Sequence, residues 1–151
     1  MFKKGKSILG SILIISLIGF LGFKDTGIFV KDYLAQKEDN TEIPFKEGES
    51  VNILAERDRE YILERDSKKY YVPKDVVLKL ETDLEDGKSE KIITIGTAQV
   101  DKTIKGDNNT YYVLLKGETV LVTNFSEGKF TIVDEDGTEF KVPRDYISLR
   151  N

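Results

Sequence analysis

The sequence predicts an all-β protein: two small antiparallel β-barrels in tandem, preceded by one N-terminal transmembrane helix. Three observations carry this prediction. A unit of roughly 50 residues occurs twice, the mark of a duplicated small domain. Within each unit, short runs alternate apolar and polar residues between turn signals, as half-buried strands do. Ahead of both units, residues 1–24 are first basic and then continuously uncharged as far as Phe23.

The repeat is read from short matches. Gly48-Glu49-Ser50-Val51 returns as Gly117-Glu118-Thr119-Val120, at an offset of 69. Tyr61-Ile62-Leu63 returns as Phe130-Thr131-Ile132 at the same offset, and Asn40-Thr41 as Asn109-Thr110. Val72-Pro73-Lys74-Asp75 returns as Val142-Pro143-Arg144-Asp145 at 70, so one residue was inserted between. In the second copy Val120-Leu121-Val122, Phe130-Thr131-Ile132 and Phe140-Lys141-Val142 read as strands. Ser126-Glu127-Gly128 and Asp136-Gly137 read as the turns between them. An Asp-Gly pair supplies the positive φ of a tight hairpin. The first copy follows the same plan with Arg57-Asp58-Arg59 and Asp66-Ser67-Lys68 as its turns.

These residues resemble the bacterial SH3-like (SH3b) domain. The resemblance rests on the Gly-Glu-Ser/Thr-Val that begins a strand and on the closing Val-Pro-basic-Asp, and it covers about 28–81 and 98–150. It implies that Pro73–Val76 and Pro143–Tyr146 form single helical turns, each followed by a final strand. The chain departs from the family in lacking its Leu-Asn-Val-Arg-Ser-Gly-Pro stretch, replaced by 103–109 and 33–39, and in having no tryptophan. The domain organisation that follows is 1–24 membrane segment, 25–81 first SH3-like module, 82–97 acidic connection and bridging strand, 98–151 second SH3-like module. Glu81–Glu90 is acidic, with Asp86-Gly87 as a turn, and Lys91–Val100 reads as β structure. That stretch is either the second copy's first strand or a bridge between copies. Modules of this size are marginal on core size alone, and no disulfide staples them. The two copies are expected to pack on each other or on 82–97.

The N-terminal segment opens with Lys3, Lys4 and Lys6. Ser7–Phe23 then runs 17 residues without a charge. Such a helix is roughly 25 Å long, near the lower limit for spanning a bilayer. The lysines ahead of it place the N-terminus inside and residues 25–151 outside the cytoplasm. A cleaved signal peptide is the competing reading, and it would make the protein secreted. The absence of a clear small-x-small site favours an uncleaved anchor. A lipoprotein is excluded, because the chain has no cysteine. Ser7 and Ser11 form a small-xxx-small pair, a common pattern that predicts no dimer by itself.

Charge and composition exclude several classes. The chain carries 23 basic and 27 acidic residues. Residues 25–151 hold 19 of the basic and all 27 acidic ones, a net of −8. That balance does not suit nucleic acid or an anionic bilayer surface. There is no histidine and no cysteine, hence no imidazole base, no thiol nucleophile and no Cys/His zinc site. No serine sits in a Gly-x-Ser-x-Gly elbow. Asp134-Glu135-Asp136-Gly137 resembles a calcium loop only at its start; Thr138, Glu139 and Asp145 stand where an EF-hand needs other residues, so a hairpin turn is expected. The triplets at Asn108 and Asn124 are of glycosylation type and arise often by chance. The chain is read as a non-enzyme, with no cofactor and no metal.

The candidate ligand-binding residues are Tyr111, Tyr112, Phe125, Pro143 and Tyr146, taken as an aromatic rim of the second copy. Val-Pro-x-x-Tyr resembles the Pro and Tyr of the peptide groove in eukaryotic SH3 domains. Tyr61, Tyr70, Phe130 and Phe140 are assigned to cores; for Phe125 and Tyr146 a core or rim role competes. Tyr111-Tyr112 on a strand must put one ring on each face. The SH3b resemblance implies a non-catalytic module, and such modules bind peptidoglycan or its cross-links. The partner is therefore peptidoglycan or, alternatively, an envelope protein for which this chain is scaffold or regulatory subunit.

Overall fold

A computed structural model describes residues 25–36 and 39–149. The predicted transmembrane helix, 1–24, lies outside the described residues. Among those described, no helix is long and apolar enough to cross a membrane. The described chain forms two compact units, a body of Asp25–Thr82 with Glu90 onward, and the segment Asp83–Ser89. In that segment the Leu84 N–H bonds the Lys88 carbonyl and the Gly87 N–H bonds the Leu84 carbonyl, closing the predicted Asp86-Gly87 turn.

The body is all-β. The first copy runs β1 (Asp25–Phe29), β2 (Tyr33–Gln36), β3 (Glu42–Phe45), β4 (Ser50–Glu56), β5 (Glu60–Arg65), β6 (Lys68–Pro73), a 3-10 turn Lys74–Val76 and β7 (Val77–Asp83). A short β8 (Ser89–Lys91) follows. The second copy runs β9 (Thr94–Ala98), β10 (Lys102–Lys105), β11 (Tyr111–Leu114), β12 (Thr119–Ser126), β13 (Lys129–Val133), β14 (Glu139–Pro143), a 3-10 turn Arg144–Tyr146 and β15 (Ile147–Ser148). One sheet has the order β6-β5-β4-β1-β7-β8 and the other β14-β13-β12-β9-β15. Ribbons β2-β3 and β10-β11 accompany them. Apart from β8, which has no counterpart, the second sheet repeats the strand order of the first. The two predicted helical turns are present where the Val-Pro-basic-Asp motifs put them.

The repeat extends to residues that the short matches do not include. Asp32 Oδ1 accepts from the Glu47 N–H at 2.8 Å, and Asp101 Oδ1 accepts from the Lys116 N–H at 2.8 Å. Gly48 and Gly117 both turn at positive φ, +88° and +91°, each donating its N–H to the carbonyl that ends the copy's first strand. Gly27 and Gly96 are equivalent in a different way. A Cβ on Gly96 would stand 2.6 Å from Ile147 Cγ2 and 3.2 Å from the Ser148 carbonyl oxygen. The final strand therefore crosses the first at a distance that only a bare Cα allows.

Thr94–Ala98 settles a boundary that the sequence left open. β9 pairs with both β12 and β15, so it is the second copy's own first strand and that copy starts upstream of residue 98. The residues just ahead of it bridge to the first copy, where the Ile92 N–H bonds the Leu80 carbonyl at 2.9 Å.

Each copy has a core. Phe29 and Phe45 stack at 4.7 Å in the first, with Tyr70 edge-on to Phe45 at 5.6 Å. In the second, Phe125 meets Phe130 at 5.1 Å and Tyr112 meets Phe140 at 5.5 Å. The cores share a wall. Side chains on a strand alternate between its faces. Phe29 of β1 and Val77 of β7 enter the first core. Their chain neighbours Val30 and Leu78 enter the second, with Ile28 and Leu80 against it. Strands of the first copy thus close the second core, and the copies pack together as expected for small modules without disulfides. The second copy's equivalents of Ile28 and Leu78 are Thr97 and Ser148, paired across β9 and β15. Arg144 adds a polar clasp: its guanidinium bonds the Val30 carbonyl at 3.2 Å and pairs with Glu47.

Candidate functional site

The five predicted residues fall into three environments. Tyr111 is 57% exposed on β11. Its neighbour Tyr112 turns inward and packs edge-on to Phe140, so the pair does divide between faces. Pro143 is exposed and leads into the 3-10 turn, and Tyr146 ends that turn half-buried against the second core. Phe125 is 2% exposed. Its place on an aromatic rim is corrected: the ring is core. The reason is a bulge in β12. Val122 pairs with Ile132 but Asn124 pairs with Thr131, which skips Thr123. The extra residue shifts the alternation by one and turns Phe125 inward. The structure therefore brings Tyr111 and Tyr112 together on one ribbon and Pro143 and Tyr146 on one turn, where Arg144 between them is held by the first copy.

The equivalent place in the first copy is filled by charge. Glu56 stands where the second copy has Phe125. Lys74 Nζ donates to Glu56 at 2.7 Å, and Lys79 Nζ donates to Glu56 at 3.1 Å and pairs with Asp25 at 2.9 Å. Asp25 also accepts from the Thr82 hydroxyl. The Lys74 hydrogen bond holds the Glu56 carboxyl below its usual range, against the opposing effect of burial. Two ammonium groups here answer two carboxylates. The cluster is internally satisfied and offers no spare charge to a ligand.

The open surface lies on the second copy. A concavity of about 400 Å³ is lined by Tyr112, Thr119, Leu121, Val133 and the turn Asp134–Asp136. Asp134 Oδ1 accepts from the N–H groups of Asp136 and Thr138, both at 2.9 Å, which builds the expected hairpin turn. Leu121 and Val133 of this lining continue to Ile95 as direct cross-strand partners over β9, β12 and β13. Ile95 is 54% and Leu121 38% exposed. Tyr111 and Val113 on β11, with Leu115 just past its end, are also exposed and apolar. Of the predicted residues, Tyr112 lines the concavity and Tyr111 is among these exposed residues. Sequence reading missed Ile95, Leu121 and Val133. Laying one copy over the other would have found them, because the first copy has Thr26, Asn52 and Glu64 at these positions.

Burial pushes the Tyr112 hydroxyl above the ordinary tyrosine range, and the Glu118 and Asp134 charges add to it. Burial does the same at Tyr61, with Glu56 raising it further, Lys79 opposing and Asp25 adding. Their stabilising contribution is complete below the unfolded tyrosine value of about 10 and is lost as pH rises through the higher folded values. In a spectrophotometric alkaline titration, Tyr61 and Tyr112 are expected to ionise late. Tyr112→Phe should remove one late step; an unchanged titration curve would refute the assignment.

No protein-family model matches the chain, and no curated protein does. Among solved structures, NlpC2 from Trichomonas vaginalis matches at 13% identity and a TM-score of 0.35, over 84% of this chain and 48% of that one. NlpC1 from the same organism matches at 14% identity and a TM-score of 0.34, over 91% of this chain and 49% of that one. The chain thus spans about half the length of each.

Proposed function

We propose that the protein is a non-catalytic, membrane-anchored, extracytoplasmic binding module of two SH3b-type barrels, and that its ligand is cell-wall peptidoglycan. One observation carries this reading: both SH3b-like motifs stand at equivalent places of two sheets that share one strand order over five strands. The Gly-Glu-Ser/Thr-Val residues turn into β4 and β12, and the Val-Pro-basic-Asp residues form the two 3-10 turns. A chain without histidine or cysteine also lacks the commonest catalytic side chains. Tyr111, 57% exposed, is a ring suited to lie on a glycan chain.

The test is co-sedimentation of the full-length protein, in mild detergent, with isolated peptidoglycan sacculi. Saturable retention is expected, and Tyr111→Ala should weaken it about tenfold, roughly 1.4 kcal/mol. That side chain is mostly in solvent, so its loss should leave the fold intact. Absence of retention at low and moderate salt would sink the reading. A second reading, a scaffold for an envelope protein, is favoured by the row Ile95–Leu121–Val133.

A further inference from the structure

The duplication supplies an internal control for every surface position. The first copy builds the row across β1, β4, β5 and β6 from Thr26, Asn52, Glu64 and Lys69, all polar. The second copy builds the equivalent row across β9, β12, β13 and β14 from Ile95, Leu121, Val133 and Glu139. The fold does not require apolar residues there, since one copy does without them. The reverse case shows what apolar outward residues do in this architecture. Ile28 and Leu78 pair across β1 and β7 on the first copy's outer face, and the second copy covers them. Among the described residues, nothing covers Ile95 and Leu121.

We propose that the row Ile95–Leu121–Val133 docks a short segment of a protein partner that carries two aliphatic side chains followed by a lysine or arginine. The row spans two strand spacings, about 10 Å, which suits two aliphatic side chains. The cation follows from charge complementarity. The row ends at Glu139 and at the hairpin turn bearing Glu135 and Asp136, and none of these three carboxylates has an ion pair among the described residues. The lining of the adjoining concavity contains no lysine or arginine. Tyr111 is not among the residues of this row, and the proposal does not depend on wall binding.

The test uses the full-length protein in mild detergent and an array of synthetic peptides. Each peptide has two aliphatic residues in alternation, flanked by Lys, Arg, Glu or Gln. Binding is expected for the Lys and Arg sets, weakening with salt. The triple variant Ile95→Thr, Leu121→Asn, Val133→Glu installs the first copy's own residues, and it should lose binding at least tenfold while its unfolding midpoint stays unchanged. Glu135→Lys with Asp136→Lys should reverse the preference toward the Glu set. The proposal is overturned if no peptide binds, if the triple variant binds as before, or if that variant unfolds at lower temperature, which would make the row structural. It is also overturned if the wild type self-associates and the triple variant does not, since the occupant would then be a second copy.

Discussion

Leu78→Ala is expected to destabilise the second copy although Leu78 belongs to the first. Its side chain is 0% exposed and sits in the second core with Val30. Truncating a buried leucine removes its transfer energy and leaves a cavity, about 2–5 kcal/mol in all. Small domains have a total stability of roughly 5–15 kcal/mol, so the loss is large. Its distribution is the informative part. β7 also carries Val77 in the first core, so the wall that loosens belongs to both copies. Calorimetry should show one transition in the wild type and one, shifted to lower temperature, in Leu78→Ala. Two resolved transitions, with the first copy's unshifted, would mean that the cores are independent. Arg144→Ala cuts the polar clasp alone. Its guanidinium and Glu47 are both about a third exposed, so the expected cost is at most about 1 kcal/mol.

Phe45→Ala is expected to give the larger loss in the first copy, about 3–5 kcal/mol. Phe45 is fully buried, stacked on Phe29, met edge-on by Tyr70 and covered by the Arg65 guanidinium at 4.8 Å. No neighbour can collapse into that volume without giving up its own packing. The urea midpoint should fall steeply with little change in slope. A midpoint within experimental scatter of the wild type would show that the ribbon β2-β3 is dispensable to the core. Leu114 takes the equivalent place in the second copy, where the aromatic pair Tyr112–Phe140 supplies the bulk instead.

Much of this fold was legible in the sequence. Alternation at Tyr61–Leu63 and at Phe130–Ile132 marked β5 and β13, and Asp136-Gly137 marked the hairpin between β13 and β14. Assigning Tyr61, Tyr70, Phe130 and Phe140 to cores agrees with their burial. What failed was parity beyond Val122. Alternation cannot foresee a bulge, and one skipped residue carried Phe125 from the expected rim into the core. The shared wall was illegible for a related reason. Ile28 and Leu78 look like ordinary strand residues, and only the packing of one copy on the other explains apolar side chains on both faces of β1 and β7. The candidate site was half legible. Tyr111 and Tyr112 were found because aromatic pairs stand out. Ile95, Leu121 and Val133 were passed over because aliphatic residues in a strand are assigned to a core by default.

The wall of β1 and β7 also makes the tandem directional. Its two faces are apolar only in the leading copy; the trailing copy's own Thr97 and Ser148 would leave a third barrel nothing to sit on. The second copy thus has no apolar seat of this kind for another barrel. The copies cannot be exchanged in order, and lengthening the chain by another repeat would not extend the structure unless those two positions were made apolar first.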